Sequence, residues 1–178
     1  MVVAWTFLPV LGSPLAHAPV LKFDLLKPLK RPLDGGSGLF GANKTWRGAI
    51  FMTSGIVAAS VLLRRFDWYR RRLPPEVAEA GAVDVGLRLG IASVVGELPN
   101  SFVKRRLGVA PGTQRRSAAG IAISLVDQAD WVPAAWLLLA PVYRMSASEA
   151  GKVAALVTAV HLPINVIGYA LGARTSPL

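Results

Sequence analysis

Charged residues in this chain are gathered between long apolar blocks, and that arrangement limits the fold more than any other feature. Residues Gly48–Leu63 lie between Arg47 and Arg64 without a charge and are rich in Ile, Val, Ala and Leu. A membrane-spanning helix needs about 20 predominantly apolar residues, and flanking arginines that snorkel to the interface extend a block that is slightly short. Four other blocks follow the same plan. They are the uncharged stretch Met1–Val20, the run between Arg88 and Lys104 that contains Glu97, the run Ser117–Tyr143 interrupted by Asp127 and Asp130, and Val153–Ala173 with His161, Pro163 and Asn165. The pattern predicts an all-α bundle of about five transmembrane helices, with residues 1–178 forming a single membrane-embedded domain.

Composition agrees. Hydrophobic residues make up 53% of the chain and charged residues 17%, against roughly 25% charged in soluble domains. A secretory signal peptide competes for the first block, because Ala16-His17-Ala18 resembles a small-residue cleavage site. The block lacks a basic leading region and Pro19 would follow the cut, which favours a retained span broken by Pro9 and Pro14. The formal charge of +10 suits either nucleic acid or anionic head groups and phosphates. Because Lys and Arg border the apolar blocks, a membrane is the expected partner and nucleic acid is not. The absence of cysteine excludes disulfides and thiolate-bound zinc.

The excess of Lys and Arg sets the expected orientation. With five spans, the loops Lys22–Arg47 and Lys104–Arg116 fall on one side, the cytoplasmic one. The stretch Arg64–Arg72 holds five arginines and breaks the rule. Pro74-Pro75 marks it as a connecting loop, and it reads either as an interfacial arginine collar or as a sign that one of the five spans is misassigned.

Acidic residues inside apolar spans are costly and therefore point to function. Here they are Glu97, Asp127 and Asp130. Three residues apart on a helix, Asp127 and Asp130 share a face and repel each other unless a cation lies between them. A divalent ion resolves this, and magnesium suits a site with few carboxylates and no cysteine. The competing reading pairs each acid with a nearby Lys or Arg. Glu97, Ser101, Lys104 and Gly108 also fall on one helical face, leading from the carboxylate toward a basic loop.

Two glycine-containing basic loops complete the set. The first runs Pro32–Gly48, where glycines let backbone amides approach an anion, Lys44 and Arg47 add charge, and Asn43 and Thr45 offer neutral donors. Asp34 is included with them as a candidate substrate contact. The spacing is not that of a Walker A loop, and a juxtamembrane basic patch is the plainer alternative. The second loop, Ser101–Gly112, carries Lys104, Arg105 and Arg106 directly after the span bearing Glu97. His161 and Asn165, one turn apart, read as interhelical hydrogen-bonding groups.

In this order the segments resemble the CDP-archaeol synthase family, which is related to the phosphatidate cytidylyltransferases. The resemblance rests on Leu39–Gly48 (LFGANKTWRG) preceded by Pro32–Gly35, on Gly96–Gly108 (GELPNSFVKRRLG), on Asp127–Asp130 (DQAD), and more weakly on His161–Gly172 (HLPINVIGYALG). It implies a five-span enzyme that uses magnesium and CTP to make a CDP-activated lipid with release of pyrophosphate. It further implies that Asp127 and Asp130 bind the metal, with Glu97 as a third ligand, and that Lys44, Arg47, Lys104 and Arg105 serve nucleotide or lipid phosphates. Asp127, Asp130 and Lys104 are then the catalytic candidates, and an isoprenoid ether lipid phosphate is the expected substrate. Where the family pattern has Gly-Asp, this chain has Gly96-Glu97, and Thr113–Ser117 (TQRRS) also departs from it. The alternatives are the same chemistry on diacyl phosphatidic acid, a non-enzymatic ion or proton-coupled carrier, and a non-catalytic relative on the same scaffold.

Overall fold

A computed structural model describes residues 2–110, 127 and 129–170, with backbone alone for residues 2, 161–162, 164–165 and 167–170. Among these residues the protein is helical and has no strand. A 3₁₀ helix, Val2–Leu11, leads into α1, Gly12–Lys22. After a short 3₁₀ turn at Lys27–Leu29 come α2, Trp46–Leu63, and two short helices, α3, Asp67–Arg70, and α4, Pro75–Glu79. The long α5, Ala82–Arg106, is followed by α6, Val132–Leu139, and α7, Ala147–Ala170.

Local chemistry sets these boundaries. Thr45 caps α2, its Oγ1 accepting from Gly48 N at 3.2 Å. Ser146 and Glu149 form a reciprocal capping box at the start of α7, with Ser146 N donating to Glu149 Oε2 at 2.9 Å and Glu149 N to Ser146 Oγ at 3.3 Å. At the other end of α5, Gly108 N bonds to Arg105 O at 3.2 Å and Val109 N to Lys104 O at 3.0 Å. This Schellman closure needs a left-handed residue, which Gly108 supplies with φ +69°. Gly108 therefore ends α5 and does not extend its polar face.

The helices meet through small residues. A Cβ on Gly12 would lie 2.3 Å from Gly55 O, and one on Gly55 would lie 2.4 Å from Gly12 O, so α1 and α2 cross backbone to backbone. Ala16 and Ala59, four residues further along each helix, flank the same crossing. Gly86 and Gly90 bring α5 close to Val57 and Thr53 of α2, where an added Cβ would lie 2.8 and 2.6 Å from them, and Gly96 brings α5 against Trp131 at the head of α6. Such spacing is how helices associate in lipid, where close van der Waals contact replaces the hydrophobic drive. Ile56, Leu89, Ala135 and Leu139 fill the remaining space.

The outside of α5 is apolar. Val83, Leu87, Ile91 and Val95 recur every fourth residue and are all exposed, forming a stripe down one face. Among the described residues, α2 is the one helix both long and apolar enough to cross a membrane.

Several expectations shift in detail. The change of helix type falls between Leu11 and Gly12, and Pro14 sits in the first turn of α1, where a missing N–H costs nothing. The third block begins earlier than expected, at Ala82. Of the fourth block, residues 117–126 and 128 lie outside the described residues, and α6 gives way at Ala140 to turns. The arginine-rich stretch is not a plain loop. Pro75 occupies the first turn of α4, a position that suits a residue without an N–H, so the two prolines start a helix here. His161 and Asn165 lie on α7, but their side chains fall outside the described residues, as does Thr113–Ser117.

Candidate functional site

The first basic loop is closed at its base. Leu33 N donates to Lys44 O at 2.8 Å and Trp46 N to Arg31 O at 3.0 Å, with Pro32 and Thr45 paired as an isolated antiparallel bridge. Within the loop, Asp34 accepts from Gly36 N at 3.0 Å and Phe40 N at 3.1 Å. These amide bonds, Phe40 first, hold its carboxyl below the usual carboxylate range. Gly36 and Gly41 take φ of +91° and +93°, conformations open to glycine at little cost. The loop therefore turns back on itself and presents Lys44 beside the start of α2, with Asn43 exposed next to it.

Lys44 reaches α5, where its Nζ pairs with Glu97. One turn further along α5, Asn100 Nδ2 donates to Asp127 and, at 3.0 Å, to Asp130 Oδ2. One turn beyond that, Lys104 Nζ pairs with Asp127. Glu97, Asn100 and Lys104 are thus three rungs of one face, at intervals of three and four residues. All of these side chains are partly buried. Asp130 Oδ1 is buried without a hydrogen-bond partner among the described residues, as are Nε and Nη1 of Arg105. A buried carboxylate oxygen seeks a cation and a buried guanidinium seeks an anion.

Two residues expected at the substrate have structural partners. Arg47 is buried, donating to Asp24 Oδ1 at 2.7 Å and Leu25 O at 2.9 Å. It ties the start of α2 to the exit of α1, where Asp24 and Leu26 adopt left-handed φ of 44° and 53°. Such residues cost roughly 1 kcal/mol or more each, and the Arg47 bonds offset that strain. The Arg47 guanidinium, with lesser help from Lys30 and Lys27, holds the Asp24 carboxyl below its usual range. Thr45 is the cap of α2.

The structure brings together Lys44, Glu97, Lys104, Asp127 and Asp130, all named from sequence. It adds Asn100, whose signal was its place three residues after Glu97 and four before Lys104. Glu97 pairs with Lys44, and among the described residues no group of three or more His, Cys, Asp or Glu is arranged to hold a metal ion.

Residues 20–177 match the family model described as CDP-archaeol synthase. The chain belongs to this family. Its relatives include the CDP-archaeol synthase of Halobacterium salinarum, 34% identical over 165 residues that cover 83% of each chain. That of Methanosarcina acetivorans is 30% identical over 167 residues, 83% of this chain and 90% of its own. That of Thermofilum pendens is 31% identical over 188 residues, 98% of this chain and 81% of its own. No solved structure matches. The matched region contains the closed loop, the α5 face and the paired aspartates, so the whole candidate site lies within it.

The aspartates also fit a hard divalent cation. Two carboxylates within reach of one amide nitrogen, one of them with a buried unpartnered oxygen, make a donor set of the size magnesium takes when water and phosphate fill its remaining positions.

Proposed function

We propose that this protein is a magnesium-dependent cytidylyltransferase that moves CMP from CTP to the phosphate of an isoprenoid ether lipid, giving a CDP-lipid and pyrophosphate. The observation that carries the proposal is the pairing of two lysines with carboxylates on either side of the Asn100 bridge, within a family named for CDP-archaeol synthesis. Lysines held by carboxylates in the free protein are ready to exchange them for phosphate oxygens. Asp127, released from Lys104 in that exchange, is then ready to take a metal together with Asp130.

In this mechanism an oxygen of the lipid phosphate attacks the α-phosphorus of CTP in line with the leaving group. A new P–O bond forms as the bond from the α-phosphorus to the bridging oxygen breaks, and the electron pair departs with pyrophosphate. The nucleophile is already anionic, so no covalent enzyme intermediate and no general base are required. Lys44, beside the closed loop, and Lys104 with Arg105, at the end of α5, bind the triphosphate and steady the departing charge. Asn100 keeps Asp127 and Asp130 together, and these two hold magnesium. When bound, magnesium supplies charge neutralisation at the phosphate oxygens. Glu97 holds Lys44 in place until the nucleotide arrives.

The exposed stripe Val83, Leu87, Ile91 and Val95, together with the glycine-mediated crossings, supports a bundle of about five membrane-spanning helices. The reaction then lies at the cytoplasmic surface, where CTP arrives, and the lipid tails remain in the bilayer.

Incorporation of labelled CTP into lipid by the purified protein in detergent tests this reading, with an archaeal ether lipid phosphate and diacyl phosphatidic acid offered separately. Magnesium-dependent product with the ether lipid, lost in Asp127→Ala, is the expected outcome. Product with the diacyl lipid alone would reassign the substrate, and no product from folded protein with either lipid would overturn the proposal.

A further inference from the structure

The site leaves one strongly charged region unexplained. Between Arg64 and Arg72 stand five arginines against a single acid, Asp67. Three of them have partners. Arg64 donates to the carbonyls of Val77, Ala78 and Ala80 at 2.6 to 3.0 Å and closes the end of α4. Arg70 pairs with Asp67, and the Arg72 guanidinium lies 5.2 Å from the Trp5 ring and 5.7 Å from the Trp68 ring. The side chains of Arg65 and Arg71 are exposed, with no hydrogen bond or ion pair among the described residues. Between them Phe66 and Trp68, each 46% exposed, lie with ring centroids 6.3 Å apart and planes tilted by 35°. Leu62, on the last turn of α2, is 57% exposed just before them.

We infer that this collar binds the phosphate head groups of anionic lipids in the leaflet opposite the candidate active site. Lys44 precedes the first residue of α2 and Arg64 follows its last, which separates the two regions by about 27 Å, close to the thickness of the hydrocarbon core. An exposed leucine on the helix, exposed aromatic rings beyond it and exposed guanidinium groups beside them match the layers of a bilayer, from acyl chain through interface to phosphate. Guanidinium groups bind phosphate through paired hydrogen bonds, and weak hydration lets them do so beside an apolar surface. The inference rests on the membrane-spanning reading of α2 but not on cytidylyl transfer.

Its test is titration of the full-length protein, in a neutral detergent, with phosphatidylglycerol or phosphatidylcholine, read by the shift in thermal unfolding midpoint. Phosphatidylglycerol should bind in preference. Because each basic residue near an anionic surface contributes about a fivefold gain, R65Q/R71Q should lose about 25-fold in apparent phosphatidylglycerol affinity. Binding of phosphatidylcholine should not change. R65K/R71K, which keeps charge but not the paired geometry, should fall between the two. Lys104→Gln, at the opposite end, should keep the preference. The inference is overturned if R65Q/R71Q retains its affinity, or if Lys104→Gln is the variant that loses it, since the lipid then sits at the active site. A soluble polyanion such as inositol hexaphosphate producing the same shift would also overturn it. Recovery of the protein from the soluble fraction without detergent would remove the membrane reading itself, whereas failure of CMP transfer would leave the collar untouched.

Discussion

The two ends of α2 are both rich in cations, yet they satisfy them differently. At the first end Lys44, Arg47 and Lys104 each have a carboxylate partner, in Glu97, Asp24 and Asp127. At the second, Arg64 is held by three backbone carbonyls and Arg72 lies over two indole rings. A carboxylate is a partner that an ion can displace, whereas a carbonyl at the end of a helix is needed where it is. The pairs of Lys44 and Lys104 are therefore open to exchange, whereas the contacts of Arg64 and Arg72 serve construction.

Removing one cation at each end tests that contrast. Lys104→Gln should lower CMP transfer by about 100-fold or more, measured as kcat/KM for CTP, while unfolding shifts little. Arg64→Gln should do the reverse. Stranding three carbonyl contacts at the end of α4 should cost about 2 kcal/mol in denaturant unfolding, with activity per folded molecule unchanged. A smaller effect is expected for Tyr69→Phe. The buried Tyr69 hydroxyl donates to Trp5 O at 3.0 Å, and losing it should cost about 1 kcal/mol. Burial also pushes the wild-type phenol up to about 12, so its absorbance should not change through the range where free tyrosine ionises.

The smallest effect separates the ends by pH. Asp24 and Asp34 both belong to the first end, and both have carboxyls held below their usual range when folded. A depressed carboxylate adds stability that is fully present above its unfolded value, about 3.9, and disappears as pH falls through the lowered folded value. The unfolding midpoint should therefore decline on acidification below about pH 4, and Asp24→Asn should make the decline shallower.

Much of this was legible in the sequence, for reasons that also mark the limit. Helix α2 was plain because no charge interrupts its block, Glu97, Asp127 and Asp130 drew notice as charges in apolar surroundings, and Lys104 as part of the basic loop that follows. What stayed hidden depends on contacts across space. Lys44 meets Glu97 over 53 positions of sequence, and no local periodicity reports such a pairing. Asn100 is neutral, so a search for charge passes over it, although it holds the two aspartates together. Arg47 was read as a phosphate ligand because it borders the loop, and only the fold reveals Asp24 and the strained turn beside it. The short helices α3 and α4 escaped because paired prolines signal a break more readily than a beginning.

One absent methyl group governs how closely the two sides of the candidate site approach. A Cβ at Gly96 would stand 2.4 Å from the Trp131 Cα, and neither backbone can yield without parting the helices. The two sides of the site are Glu97, Asn100 and Lys104 on one and Asp127 with Asp130 on the other, and the 3.0 Å hydrogen bond from Asn100 to Asp130 has no slack for a wider gap. Gly96 works as a gauge block, bringing no side chain of its own while deciding whether the polar groups can meet. The candidate site is therefore sized by the crossing of two helices, and its polar contacts are lost if they separate even where every charged residue is kept.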